Sequence, residues 1–340
     1  MIDVLIAGGG PAGLAAGIHA ARAGLRAVVV EPRTTPVDKA CGEGIMPGGV
    51  AALRAMGIAV SGLSGRDLRG IRYRDGVQDA EARFRDGTGR GVRRTELHAA
   101  LRRRADALGV ETVRGKIGEV RQSADRVYAG GRTARWLIAA DGLHSPIRRG
   151  LGLELRDRAP SRYGLRRHFR VEPWSDFVEV HWARHGEAYV TPVGDDLVGV
   201  AVLSRERRGY AEHLARFPDL APLLGERPAS AVRGAGPLRQ RVSSPLAGRV
   251  LLVGDAAGYV DALTGEGVAL ALSTAEAAVR ALAQDRPGTY PAAWAKLTRR
   301  HRLLTEGLLY ATRRPGGARL IVPAAARLPS VFAAAVHALQ

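Results

Sequence analysis

The chain has 340 residues, a formal net charge of +18 and a pI near 11.1. Hydrophobic residues make up 46% and no apolar run is long enough to span a bilayer, so it reads as one large α/β unit or two domains sharing an interface, with no transmembrane segment. Its single cysteine, Cys41, excludes an intrachain disulfide and a cysteine zinc cluster; no metal site is expected, and with no basic and apolar leader before the first strand a cytoplasmic protein is the simplest reading.

Residues 3–7 read as a short buried strand, followed by Gly8-Gly9-Gly10-Pro11-Ala12-Gly13, a G-x-G-x-x-G run. A helical pattern from Leu14 to Gly24 and a second apolar strand ending in Glu31 complete the βαβ context of a dinucleotide site. In such a unit Gly8 allows the sharp turn, Gly10 the approach of a pyrophosphate and Gly13 the close packing of helix on strand. The helix N-terminus offers free N–H groups to the phosphates. Glu31 suits ribose hydroxyls and would repel a 2′-phosphate, which disfavours NADP here.

A glycine-rich loop, Pro32–Met46, carries Cys41-Gly42-Glu43-Gly44. Cys41 reads either as a redox or nucleophilic thiol or as a small residue packed close to a ligand. Residues 67–92 read as β-structure with turns at Asp75-Gly76 and Asp86-Gly87. A helix is predicted from Arg94 to Leu108 with Thr95 as N-cap. A buried strand, Trp136–Ala140, runs into Asp141-Gly142. From about residue 155 closely spaced strands (163–171, 177–183, 187–193 and 197–203) predict an antiparallel sheet and a substrate domain. The α/β texture returns with strand 250–253, Gly254-Asp255-Ala256-Ala257, Gly265-Glu266-Gly267 and an Ala-rich helix, 268–283. Helices are predicted over 290–312 and 323–339. The arginine-rich charge reads as a solvated surface, or as attraction to an acidic carrier protein or an anionic membrane surface; no nucleic-acid module accompanies it.

The G-x-G-x-x-G run, Ala140-Asp141-Gly142 with Ser145 and Arg148, and Gly254-Asp255-Ala256-Ala257 together resemble the flavoprotein hydroxylase superfamily of p-hydroxybenzoate-hydroxylase-like monooxygenases, flavin halogenases and geranylgeranyl reductases. Arg94 with Leu97 resembles its arginine-x-x-leucine. The resemblance implies an FAD-binding Rossmann-like (glutathione-reductase-like) domain with an inserted α+β substrate domain. FAD-binding segments are expected at 1–70, 93–155 and 246–285, substrate-domain segments at 71–92 and 156–245, and C-terminal helices at 286–340. It implies that Gly8, Gly10, Pro11, Ala12 and Gly13 approach the pyrophosphate and that Glu31 and Arg33 lie at the adenosine ribose. Arg94 would contact the phosphate or ribityl region, Asp141 and Gly142 would lie near the FAD, and Gly254 and Asp255 would lie at the ribityl chain. Gly265, Glu266 and Gly267 would set a helix N-terminus beside the flavin N1–C2 carbonyl, where reduced flavin carries negative charge.

Cys41-Gly42-Glu43-Gly44 resembles the C-G-[DE] loop of the geranylgeranyl reductase branch, with Cys41 bordering the flavin. That branch's aromatic prenyl-binding stretch is reduced here to Tyr189-Val190-Thr191-Pro192. Tyr189, Thr191, Pro192 and His181 are the substrate candidates, with Tyr163, Trp174 and Trp182 further candidates for the pocket wall. The resemblance implies hydride transfer to a C=C bond of a hydrophobic small molecule. The alternative is a monooxygenase of an aromatic, polyketide or isoprenoid metabolite acting through a flavin C4a-hydroperoxide, with His168, His181 or His185 as base. NAD(P)H as a transient reductant, or a separate flavin reductase, would supply electrons. A basic non-enzymatic binding module is the reading from another class, and it predicts no flavin.

Overall fold

The computed structural model describes the chain except for Thr34, Thr35, Arg158, Glu226, Pro315 and Gln340; Thr34 and Thr35 of the predicted 32–46 loop thus lie outside the described residues. Strand Ile2–Ala7, helix Pro11–Arg22 and strand Ala27–Glu31 form the opening βαβ unit. Pro11 occupies the first helical position, where no N–H is needed, and Gly24 takes the left-handed conformation (φ +74°) just past the helix end. Five parallel strands run in the order 250–252, 132–139, 2–7, 27–31 and 111–114, with antiparallel 246–247 at one edge. Their apolar runs are buried on both faces, as a parallel sheet requires. Helices Pro11–Arg22 and Gly267–Ala283 pack together on one face, their alanines allowing close contact.

A second sheet of seven strands runs in the order 233–235, 163–169, 197–204, 186–194, 177–183, 70–74 and 79–83. Its neighbours are antiparallel except 177–183 with 70–74. Residues 70–83 thus leave the dinucleotide-binding fold, complete the far side of this sheet and return. A three-stranded sheet (44–45, 89–92 and 65–68) bridges the two regions. At Gly91 the bridge lies against the large sheet so closely that a Cβ would fall 1.8 Å from the Pro192 carbonyl oxygen.

Two local expectations are corrected. The helix Arg94–Ala107 is not capped by Thr95: Arg93 is the N-cap residue, and the acceptor for the Arg94 N–H is the Glu43 carboxylate (2.9 Å) from the glycine-rich loop. The tail is two helices, Gly317–Arg327 and Pro329–His337, not one starting at Pro323. Pro329 disfavours helical backbone at the residue before it, and Leu328 is accordingly non-helical (φ −124°, ψ 60°). The two helices meet at 100°, and among the described residues no single helix is long and apolar enough to cross a membrane. Phe332 seals the edge of the large sheet against Tyr73, with ring centroids 4.6 Å apart.

Candidate functional site

The three sequence motifs converge at the C-terminal ends of the parallel strands, where an open α/β sheet binds its ligand. A Cβ at Gly8 would fall 2.5 Å from the Ala140 carbonyl oxygen, and one at Gly13 1.8 Å from the Gly8 carbonyl oxygen. Both glycines are therefore required by close backbone approach. Gly10 differs: among the described residues, its chain neighbours aside, no atom lies within 4 Å of its missing Cβ, so this side of the turn is open to a ligand. A Cβ at Gly254 would stand 3.0 Å from Ala12, joining the third motif to the first. Arg148 is fully buried and ties the second to the third, donating to the Ala256 (3.1 Å) and Leu143 (2.9 Å) carbonyls.

Glu31 closes the first motif. Its carboxylate accepts from the Gly9 N–H (2.7 Å) and from the Arg33 N–H and Nε (3.0 and 2.9 Å). Burial pushes this carboxyl up, but the N–H groups of Arg33 and Gly9 outweigh it and hold it below its ordinary range. His98, buried on helix Arg94–Ala107, bonds the Gly9 carbonyl through Nε2 (2.9 Å) and fixes the other side of the turn.

Asp255 and Asp141 face the same space. The Asp255 carboxyl is pushed up by burial, opposed by the charges of Arg94, Lys39 and Arg148, and it makes no hydrogen bond among the described residues. Asp141 Oδ2 accepts from the Ile147 N–H (3.2 Å), whereas its Oδ1 is buried with no hydrogen-bond partner among the described residues. Arg94 Nε and Glu266 Oε1 are likewise buried, with no hydrogen-bond partner among the described residues. Lys39 lies at Gly142, with Nζ 3.4 Å from the position of a Cβ there. Burial and the neighbouring Arg33 and Arg94 lower its pKa. Gly265, Glu266 and Gly267 lead into helix Gly267–Ala283, with Glu266 at its N-cap. Burial pushes the Glu266 carboxyl up to about 8.

These residues fit FAD. Two glycines are fixed by backbone contact and a third leaves open space. An acceptor without a partner stands beside two cations, and a helix N-terminus closes the far end. Asp255 suits a ribityl hydroxyl, Arg94 and Lys39 suit phosphate, and the Gly267 end suits the electron-rich pyrimidine edge.

The Cys41 loop is pinned from three sides. Glu43 is buried in a left-handed conformation (φ +60°), its Oε1 on the Arg94 N–H and its Oε2 accepting from His168 Nε2 (2.5 Å). Thr191 Oγ1 donates to the Gly42 carbonyl (2.8 Å), and the Glu43 N–H reaches the Cys41 sulfur (3.4 Å). His168 is thereby committed to structure, with Nδ1 within 2.9 Å of Ser230 Oγ.

The substrate candidates separate by strand alternation. Tyr189 is buried on the face toward the dinucleotide-binding fold, donating to the Leu263 carbonyl (2.8 Å), and Thr191 shares that face. Val178, Val180 and Trp182 extend it against Met46, Leu68 and Leu263. His181 lies on the opposite face with Glu179 (3.3 Å) and Trp174, away from the site. Pro192 serves the contact with Gly91. His185 is half exposed at the end of the sheet, with Nδ1 3.0 Å from Glu206, and Tyr163 lies under the Arg207 guanidinium. Sequence reasoning passed over Lys39 and His98. Lys39 carried a signal, being one of three lysines in an arginine-rich chain; His98 carried none, because only the fold brings it to Gly9.

Fold and site define a flavin-binding oxidoreductase. Comparison with known proteins agrees: residues 1–218 match the family model described as FAD binding domain. The chain is 31% identical over 334 residues to a menaquinone reductase of Mycolicibacterium smegmatis, covering 88% of this chain and 80% of that one. It is 28% identical over 298 residues to digeranylgeranylglycerophospholipid reductase 1 of Methanothermobacter thermautotrophicus, covering 78% and 73%. In structure it is similar to the flavin-dependent halogenase CmlS, with a TM-score of 0.78 and 23% identity over 89% of this chain; it spans 62% of that longer chain. The chain belongs to this FAD-binding family and is an FAD-dependent oxidoreductase.

Proposed function

We propose that this oxidoreductase reduces a carbon–carbon double bond of a hydrophobic, polyprenyl-bearing molecule. The observation that carries the reading is the apolar wall of Val178, Val180, Trp182 and Tyr189, which faces Met46 and Leu263 beside the pinned Cys41 loop. These side chains form a buried apolar cluster, and a hydrocarbon chain reaching the loop would border it and meet no charge from it. The likeness to two differently named reductases supports the same direction, since menaquinone and a digeranylgeranyl lipid share a prenyl chain.

FAD, when bound and reduced, supplies a hydride. The chain's own residues hold and orient. Gly8, Gly10 and Gly13 make room for the pyrophosphate, and Glu31 braces their turn. Asp255 would accept from the ribityl chain. The N-terminus of helix Gly267–Ala283 favours negative charge at the end of the site. Cys41 lines the space beside Gly42 as a small side chain, and the apolar wall excludes water from the reacting carbons.

The test is anaerobic. The FAD of the purified protein is reduced by light and mixed with menaquinone bearing an unsaturated chain. Oxidation of the flavin with gain of two hydrogens by the product, read by mass spectrometry, is the expected result. Gain of an oxygen atom only when air is admitted would establish the monooxygenase reading instead. The same mixing with NADH and with NADPH identifies the reductant.

A further inference from the structure

The two tail helices are apolar on both sides. Inward, Ala325 of helix Gly317–Arg327 and Phe332 and Val336 of helix Pro329–His337 pack on Ala80 and Ala82 of strand 79–83. Both helices therefore cover the same face of that strand. Its acids, Asp79 and Glu81, alternate to the other face, where they pair with Arg74 and Arg72. His337 fastens the end, donating from Nε2 to the Arg83 carbonyl (2.9 Å), with Nδ1 3.1 Å from Arg85 Nη2. Helical spacing turns the remaining residues away from the sheet. Leu320 (64% exposed) and Val331 (60%) stand on that outer side with Leu328 (55%) at the bend, and Ala324 and Pro329 between them are exposed as well.

The charge around this face has one sign. Arg319 and Arg327 flank the leucines, both exposed and neither ion-paired among the described residues. Between Glu306 and Gln340 the sequence holds Arg313, Arg314, Arg319 and Arg327 and no acid. A second copy of the chain would bring its own charge of +18 to the same place and be repelled. An anionic lipid surface brings phosphate to the arginines and hydrocarbon to the leucines. The composition agrees: together the two helices are long and apolar enough for a membrane span, but they meet at 100° and their inner sides are held on the sheet. They can lie on a bilayer and cannot cross it in this fold.

We propose that the outer face of helices Gly317–Arg327 and Pro329–His337 docks on an anionic membrane surface, with Leu320, Leu328 and Val331 in the acyl boundary and Arg319 and Arg327 among the headgroups. The docked face backs onto the apolar wall. Phe332 meets Tyr73 with ring centroids 4.6 Å apart, and Tyr73 meets Trp182 of the wall at 5.4 Å. Ile321 and Val322, beside Leu320 in the same helix, pack into the cluster of Val178, Val180 and Tyr189. One helix thus presents leucine to the bilayer on one side and covers the wall on the other, so a prenyl chain leaving the bilayer has the shortest way to the wall here. The docking stands without any assumption about the reaction; the delivery of a prenyl chain rests on the reductase reading above.

The test is flotation of the FAD-bound protein with vesicles of equal parts phosphatidylcholine and phosphatidylglycerol. The parent protein is expected to float with them; a parent left behind overturns the docking. Any chain of charge +18 is drawn to anionic lipid, so the leucines decide. Leu320→Ser with Leu328→Ser leaves the charge unchanged and is expected to weaken vesicle binding about 100-fold, about tenfold for each leucine kept out of hydrocarbon. A double variant that floats like the parent overturns the docking. Should the double variant not fold, Leu320→Cys in a Cys41→Ser background carries an environment-sensitive fluorophore, and emission that vesicles leave unchanged overturns it too. So does self-association of the parent without lipid, read by sedimentation and lost in the double variant, since the face then closes on a second copy. Delivery is read by anaerobic mixing of the reduced protein with menaquinone. The double variant should keep the parent rate of flavin oxidation with a short-chain menaquinone in solution and lose tenfold or more with menaquinone held in the vesicles; equal rates on vesicles overturn delivery. A parent that floats but passes no electrons to any menaquinone refutes the reductase reading and leaves the docking in place.

Discussion

Replacing Glu266 by Gln separates the cost of a buried charge from the packing around it. Glu266 is 8% exposed, its Oε1 has no hydrogen-bond partner among the described residues, and burial is the sole cause that pushes its carboxyl from 4.5 up to about 8. The unfolded chain releases this proton above about pH 4.5, whereas the folded chain keeps it to about 8. Below pH 4.5 both states are protonated and the group has no effect on stability. Between the two values the unfolded state gains free energy from ionising that the folded state does not, so stability falls as pH rises. At about 1.4 kcal/mol per pH unit, the loss has an upper limit of about 5 kcal/mol above pH 8. That is a large share of the ordinary 5–15 kcal/mol (roughly) of a folded domain. Gln keeps the shape and cannot ionise. Urea unfolding of the FAD-free protein at pH 5, 7 and 9 is therefore expected to show the parent weakening with pH relative to Glu266→Gln, and the variant becoming the more stable of the two in alkali. Parallel stability curves would refute the reasoning and would mean that the carboxylate finds water or a cation in the folded state.

Three further outcomes are expected. Gly10→Ala should fold normally, since no described residue beyond its chain neighbours meets the new methyl group, yet bind FAD more weakly by tenfold or more; Gly13→Ala should fail to fold, because its Cβ would fall 1.8 Å from the Gly8 carbonyl oxygen. Circular dichroism beside flavin fluorescence titration distinguishes the two. Asp255→Asn should weaken FAD binding by about 10- to 100-fold, the cost of about 1.5–3 kcal/mol for a charged hydrogen bond, measured by the same titration. Cys41→Ser should retain FAD and keep flavin oxidation by substrate within about tenfold of the parent rate in stopped-flow mixing, because the thiol lines the site as a small group; loss of about 100-fold or more would mark it as an acid or nucleophile.

The cofactor half of this protein is legible in its sequence. Close backbone packing leaves few residue types that fit, so Gly8 and Gly13 announce the turn, and Asp141 and Asp255 stand at fixed distances after buried strands. Local periodicity also marks the strands at 163–204, because alternation is a property of neighbours in the chain. The substrate half is less legible. Which face of a strand meets the flavin depends on what covers the other, and this separates Tyr189 from His181 although both are aromatic residues on adjacent strands. Glu43 illustrates the limit most clearly. In the sequence it is one acid in a glycine-rich loop; in the fold it caps a helix that starts fifty-one residues later and binds a histidine 125 residues away. The sequence by itself determined a dinucleotide cofactor, because the turn that receives a pyrophosphate is backbone geometry that glycines encode locally, and the resemblance of its three motifs to a known family made that cofactor FAD. The tertiary structure alone decided the partners of the buried charges, because a carboxylate taken out of water is governed by whichever groups the fold brings to it.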